Sequence, residues 1–382
     1  MSAPESITTP RSLNRIAILV AVAIGLLAPM AGLIGGYHGD VAALEFREPA
    51  LLPEIPRNAE KLRAFPSEMD AFLEDHFGFR SQLLALNSRL HVAIGVSSLP
   101  RLMLGKEGWL FHRTPDRVLD QYRGIDRFSP TELERWVLTM ERRQRWLAKR
   151  GIRMLITIAP TKHAIYPEYV PDWANVVNRE GRYQQLVARL AMGSPLELVD
   201  LHAPLLEAKL EHRVYHRTDT HWNELGAHAA YATIVERVRE SHPEVPLRSV
   251  DWFDLEWILE PFGGHARALN ISENMLEELP RLQPRSGTRV VRRVWPDRIP
   301  DDPINELFFT QVIESDLSGQ PTVVFVRDSF ATNLSLFAQE SFRRTVLIHH
   351  GFGGFPRELI LSYEPDIVVF EMIEAGLAWE QK

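Results

Sequence analysis

Beyond Gly151 the chain alternates short apolar runs with amphipathic segments, and this alternation narrows the possible folds more than any other feature. Met154 to Ala159, Leu196 to Val199, Val323 to Val326, Thr345 to Ile348 and Ile367 to Phe370 are apolar runs of strand length. Between them, Glu180 to Ala191, Glu224 to Arg239, Phe330 to Gln339 and a short stretch near Pro356 to Leu361 carry helical spacing. A strand apolar on both faces needs cover on both, and intervening helices supply it, so the pattern predicts an α/β sandwich around a mostly parallel sheet. Ser129 caps and Pro130 opens an earlier helix that Gly151 closes. The stretch Trp252 to Arg298, with Gly263-Gly264 and Pro280, breaks the rhythm and reads as an insertion or a lid beside a site.

The N-terminal part obeys different rules. Ile16 to Ile34 has no charged side chain and is long enough to cross most of a bilayer as a helix. Arg11 and Arg15 precede it, and Asp40 and Glu45 follow, which places the short N-terminus in the cytoplasm and the bulk of the chain outside. An uncleaved anchor is expected, because the run exceeds a usual signal core and no clear A-x-A site follows; Ala28 and Ala31 keep a cleaved signal open. The expected layout is a cytoplasmic N-terminus over 1–15, a transmembrane anchor over 16–36, a tether over 37–60 carrying Pro49, Pro53 and Pro56, and a domain over 61–382. Its first portion, 61–128, has apolar residues at helical spacing, broken at Gly78.

Composition removes several chemistries. With no cysteine, a disulfide framework and a thiolate nucleophile are excluded, and a zinc site would need His and carboxylates alone. A net charge of -7 without a long basic run lacks the footprint of a nucleic-acid binder.

In open α/β sheets, chemistry gathers in loops beyond the C-terminal strand ends, and three such loops stand out. In the first, the run from Val323 to Val326 turns through Arg327 and Asp328 into a helix at Ser329, where unpaired helix amides and the helix dipole can hold an oxyanion; the plainer reading makes Asp328 or Ser329 an N-cap. In the second, His216 to Asn223, Asp219 and His221 are two apart and can face one side, so that the imidazole takes a proton from Ser329 and the carboxylate fixes its tautomer. There, Asp219 or Asn223 as a helix cap, or His216, Asp219 and His221 as metal ligands, are the competing readings. In the third, after Ala159, Lys162, Tyr166 and Glu168 either line a substrate cleft or form a rigid Pro-framed loop. The pair His349-His350 reads as structural.

Together the motifs resemble the AlgJ and AlgX group of alginate O-acetyltransferases. Asp75 to Arg80 resembles its Asp-His-Phe-Gly-Phe-Arg segment, and Gly105 to Phe111 its Gly-Lys-x-Gly-Trp-Leu-Phe signature. Pro160 to Lys162 with Ile165 to Glu168, then Asp219 to Asn223 with Gly226-Ala227, and Asp328 to Phe330 resemble further blocks, in the family's order of Asp and His before Ser. Arg327 stands where related nucleophile blocks have Gly, and His265 where Asp is expected.

The resemblance implies an SGNH-hydrolase-like three-layer sandwich with Ser329 as nucleophile, His221 as general base and Asp219 as its orienter. Lys162, Tyr166, Arg327 and Asn223 are the candidate substrate-binding residues, and no metal or cofactor is expected. Because the chain ends soon after its last expected strand, without room for a carbohydrate-binding module, it looks more like the AlgJ branch. The implied setting is a single-pass inner-membrane protein with its catalytic domain in the periplasm. A membrane-bound acyl-transfer protein would supply acetyl groups, an exported polysaccharide would accept them, and other export components are possible partners. A polysaccharide deacetylase or esterase using the same residues, and a non-catalytic scaffold of an export complex, are the competing functions.

Overall fold

A computed structural model of the chain describes residues 11–37, 48–285, 290–296 and 308–381. They form two compact units, one of Met1–Ile94 with Ala268–Ile271, the other of Gly95–Arg267 with Ser272–Lys382.

In the first unit the apolar run lies in a helix, Arg11–Gly35, of the length and composition that suit a single-pass anchor or a signal sequence. Helices Ala59–Asp75 and Arg80–Ala93 follow. Asn58 caps the former by accepting the Lys61 amide at 2.8 Å. The Phe79 amide donates to the Tyr37 carbonyl, and the two rings stack with centroids 6.0 Å apart. Positions 38–47 of the expected tether lie outside the described residues.

The second unit is built on a seven-stranded sheet. Two small antiparallel pairs stand apart from it: β1 (Leu102–Leu104) with β2 (Leu110–His112), and β5 (Phe253–Pro261) with β6 (Leu276–Pro284). The sheet strands are β3 (Arg153–Ala159), β4 (Leu198–Val199), β7 (Val290–Val294), β8 (Gln311–Ser315), β9 (Thr322–Arg327), β10 (Arg344–His349) and β11 (Ile367–Ile373), in the spatial order β4-β3-β11-β9-β10-β8-β7. The sheet is mixed: pairings from β4 through β10 are parallel, whereas β10 with β8 and β8 with β7 are antiparallel. The expected mostly parallel sheet is corrected in this way at one edge. There the two extra strands arrive by reversal of the chain, which needs no crossover helix.

Alternation along the strands sorts the core into two layers. Leu155, Val323, Phe325, Leu347 and Val369 face helix Glu224–Arg239 and the segment after Ser329, while Met154, Val324, Val326, Val346 and Phe370 face helices Pro130–Ala148 and Arg182–Ala191. Full burial contributes about 1.5–3 kcal/mol for each such side chain, so a β9 substitution on either face disturbs a filled layer next to Ser329. A capping box, with Ser129 accepting the Glu132 amide, starts helix Pro130–Ala148 as the sequence predicts.

Two readings are revised. The stretch 252–298 holds the hairpin β5–β6 and the sheet strand β7, so it is only partly an insertion. The helix expected over Phe330 to Gln339 is a 3-10 turn, Ser329–Thr332, followed by one α-helical turn, Ser335–Ala338.

Candidate active site

The site forms where β9 ends. Beyond Arg327 the chain turns at Asp328, whose Oδ1 accepts the Phe330 amide at 2.9 Å and whose Oδ2 accepts the Ile373 amide at 2.6 Å. These bonds tie the serine turn to the end of the neighbouring β11. They also engage one of the amides expected to hold an oxyanion, and a short 3-10 turn carries little dipole, so that expectation is revised. Burial raises the Asp328 carboxyl, and beside it burial and the Asp328 charge push buried Glu371 well above the usual range. Glu371 accepts the Asp328 amide at 3.2 Å.

The second segment closes on itself. Tyr215 and Trp222 form an antiparallel bridge, the His216 amide donates to the His221 carbonyl at 3.1 Å, and the Asn223 amide to the Val214 carbonyl at 3.0 Å. Gly226 makes this possible, because a Cβ there would stand 2.2 Å from the Val214 carbonyl oxygen. Trp222 is fully buried and donates its indole N–H to the Phe330 carbonyl at 3.0 Å, joining this segment to the serine turn.

Within this frame, His221 Nδ1 donates to Asp219 Oδ1 at 2.6 Å, which leaves Nε2 as the acceptor facing Ser329 Oγ at 2.7 Å. Asp219 is further held by the His221 amide on Oδ1 at 3.1 Å and the Gly264 amide on Oδ2 at 2.5 Å. Burial alone would raise the Asp219 carboxyl, but the His221 charge and hydrogen bond, with His265 and the Gly264 amide, hold it well below the usual carboxylate range. The Asp219 side chain is 13% exposed and that of His221 29%, so the imidazole opens to solvent while its orienter is enclosed. Chemically, the arrangement can deprotonate a serine hydroxyl and stabilise the resulting imidazolium. His216 points elsewhere, toward Glu277 and the Phe262 ring, which separates it from Asp219 and His221 as a metal ligand. Among the described residues no cluster of three His, Asp or Glu side chains is arranged to hold a metal ion.

The four candidate substrate residues lie in the interior, each held by contacts within the fold. Lys162 is buried against the Trp109 and Phe111 rings, and its ammonium donates to the carbonyls of His216 (3.1 Å), Arg217 (3.0 Å) and Asp219 (2.5 Å). Burial pulls its pKa down to about 7, against the opposing pull of Asp219 and Glu277. Tyr166 is buried and its hydroxyl accepts the Val214 amide at 2.8 Å. Asn223 caps helix Glu224–Arg239, accepting the Gly226 amide at 3.1 Å and donating to the Arg213 carbonyl at 2.6 Å. Arg327 is buried behind the serine turn and donates to the Asp328 carbonyl at 3.2 Å. All four side chains are buried, and of their polar atoms the Arg327 Nε has no hydrogen-bond partner.

Sequence reasoning missed the Gly263-Gly264 contact and Glu277. Gly263 has φ +96°, and a Cβ there would meet the Thr218 carbonyl oxygen at 2.1 Å. Only glycine lets this backbone reach Asp219, and the Gly-Gly pair was the available signal. Glu277 is fully buried on β6, accepting the amides of Arg217 (2.6 Å) and Thr218 (3.1 Å) and the Thr218 hydroxyl (2.5 Å). Its signal was a carboxylate sharing a strand face with Leu279.

Comparison with known proteins agrees with this architecture. The probable alginate O-acetylase AlgJ of Pseudomonas aeruginosa is 28% identical over 173 residues, 44% of this chain and 42% of that protein. The Pseudomonas putida protein of the same description is 30% identical over 144 residues, 36% of this chain and 34% of its own. The matches thus take in less than half of these relatives' length. In structure, Bacillus cereus PatB1 with a sulfonyl adduct superposes with a TM-score of 0.55 at 12% identity, covering 73% of this chain and 98% of PatB1. A DHHW family protein from Eubacterium siraeum gives 0.51 at 16% identity, covering 74% and 96%. These two similarities show a shared fold. The family described as SGNH hydrolase-like domain, acetyltransferase AlgX, matches residues 102–352, a span that holds both segments of the site, and the chain belongs to that family.

Proposed function

We propose that the protein is an O-acetyltransferase that acetylates hydroxyls of an exported, alginate-like cell-envelope polysaccharide through an acetyl-Ser329 intermediate. The observation that carries this reading is the continuous hydrogen-bonded line from Asp219 through His221 to Ser329, at a half-exposed edge of an acetyltransferase-family fold. The relatives named alginate O-acetylases support the substrate class. Ser329 Oγ attacks the acetyl carbonyl carbon as its proton passes to His221 Nε2, and the collapsing tetrahedral intermediate expels the donor group, which takes that proton. A sugar hydroxyl then gives its proton to His221 and attacks the acetyl-serine, and Ser329 recovers the proton as it leaves. With the Phe330 amide engaged by Asp328, the oxyanion is assigned to the Ser329 amide, the N–H of the nucleophile's own residue.

In this reading the helix Arg11–Gly35 is a single-pass inner-membrane anchor and the domain over 61–382 faces the periplasm, beside a membrane-bound acyl-transfer protein that supplies acetyl groups. Hydrolysis by the same residues is the second reading, because the solvent-exposed part of His221 leaves water a path to the acetyl-serine.

The test uses the full chain in detergent with a simple acetyl ester, reading turnover together with the intact mass. An acetyl adduct and turnover, both lost in folded Ser329→Ala and turnover lost in folded His221→Ala, are expected. Undiminished turnover in either variant would remove the proposal. Adding an alginate-like oligosaccharide separates the two readings, since a transferase yields acetylated sugar and a hydrolase only acetate.

A further inference from the structure

The segment from His216 to His221 lies between the two sides of the Tyr215–Trp222 bridge and joins no strand ladder, so most of its inner peptide groups find partners on side chains. Its carbonyls turn mainly to one charge and its amides to another. Lys162 donates to the carbonyls of His216, Arg217 and Asp219, using the three donors of an ammonium. On the amide side, Glu277 accepts from Arg217 N, Thr218 N and the Thr218 hydroxyl. The remaining Thr218 carbonyl is taken by the amides of His265 at 3.1 Å and Ala266 at 3.3 Å. Lys162 is 3% exposed and Glu277 0%, so water does not replace either contact.

We propose that Lys162 and Glu277 are a pair of positioning residues that hold the segment bearing Asp219 and His221 in register with Ser329. The inference rests on the catalytic reading of those three residues. An ammonium only donates and an ionised carboxylate only accepts, so each selects one kind of backbone group. A rotated peptide between His216 and Asp219 would set donor against donor or acceptor against acceptor. Glu277 pairs with Arg213 at 3.4 Å, and the Asp219 and Glu277 charges act on Lys162, so neither is an isolated charge in the interior. The Gly105 to Phe111 signature serves the same end, because Trp109 and Phe111 wall the Lys162 ammonium and the Leu110 amide donates to the Arg217 carbonyl at 2.9 Å. Neither charged residue touches the reacting atoms, and their effect passes through the placement of His221.

The test compares full-length Glu277→Gln, Lys162→Met and Thr218→Val in detergent. Glu277→Gln turns one acceptor oxygen into an amino group facing N–H donors, whereas Thr218→Val keeps the shape and removes a single hydroxyl. A displacement of His221 on the order of 1 Å lowers kcat about 10²-fold in the first two variants. Loss of one hydrogen bond lowers it roughly 3- to 10-fold in the third. KM stays within about twofold, because substrate contacts are untouched. The far-downfield Nδ1 proton resonance of His221, identified by its absence in His221→Ala, broadens or disappears in step. The double variant Lys162→Met/Glu277→Gln loses no more than the worse single one, because both act on one segment.

Wild-type kcat with an unshifted resonance in folded Glu277→Gln overturns the proposal, as does a double-variant loss equal to the product of the single losses. If Glu277→Gln does not fold, Thr218→Val decides by the same two readouts. The resonance does not depend on turnover. Its loss in these variants while Ser329→Ala still turns over would therefore sink the catalytic reading and leave the positioning role standing.

Discussion

Replacing Asp219 by Asn tests the electrostatic logic of the site with almost no change of shape. The carboxylate accepts from His221 Nδ1 (2.6 Å) and the His221 amide (3.1 Å) on one oxygen, and from the Gly264 amide (2.5 Å) on the other. A carboxamide has one acceptor and must present its NH2 to one side. Turned toward Gly264, the NH2 meets an N–H donor at the 2.5 Å contact; turned toward His221, it meets the backbone donor at the longer 3.1 Å contact, and Nδ1 can escape by giving up its proton. The second arrangement wins on distance. It moves the imidazole proton to Nε2, where it faces Ser329 and the ring can no longer act as a base. Loss of the correct tautomer and of the charge opposing the imidazolium lowers kcat about 10³–10⁴-fold, or roughly 4–5.5 kcal/mol in the barrier. Stability changes by only about 1–3 kcal/mol, the cost of one mismatched buried donor. The assay is acetyl-ester turnover by the full chain in detergent, with urea unfolding followed by circular dichroism. A folded Asp219→Asn protein within tenfold of the parent kcat would refute the tautomer argument.

Gly263→Ala adds a Cβ at 2.1 Å from the Thr218 carbonyl oxygen at φ +96°; it should cost about 3 kcal/mol or more, with loss of turnover, and an unchanged urea midpoint would contradict the close approach. Acid should remove the contribution of Glu277: burial opposes its charge, but His216, Thr218 and the Arg217 amide lower its pKa from 4.5 to about 2. A depressed folded pKa stabilises above pH ~4.5 and fades as pH falls through about 2, on the order of 3 kcal/mol in all. The stability advantage over Glu277→Gln should therefore shrink across that window, and a constant advantage would count against it.

Alternation between strand runs and helices was enough to locate β3, β9, β10 and β11, because a run buried on both faces leaves a plain apolar signature. Helix Glu224–Arg239 matches its expected span, since Asn223 and Glu224 mark its start. Strand β7 was missed because Arg292 and Arg293 on an exposed edge erase the apolar pattern, and β8 because only Val312 and Ile313 in it are apolar. The segment after Ser329 has helical spacing, yet Asp328 draws its first amide into a tighter turn, a side-chain preference that periodicity does not register. Asp219, His221 and Ser329 were legible as residue types at strand-end loops, and the structure brings them within hydrogen-bonding distance. Lys162 and Tyr166 show what sequence does not separate. A polar residue after a strand looks the same in sequence whether it faces a ligand or satisfies buried carbonyls and amides, as these two do.

The bond between His221 and Ser329 spans 108 residues, and β9, which delivers the serine, lies between β10 and β11. β11 follows both segments of the site in the chain and fills the slot between β3 and β9. While the polypeptide emerges from a ribosome or a translocon, the base and the hydroxyl can both be present long before the sheet has its middle. On the proposed reading, competence arises late and cooperatively, as a property of the finished sheet. On that reading, a nascent or clipped chain lacking β11, from Ile367 onward, would carry all three groups and still be inert.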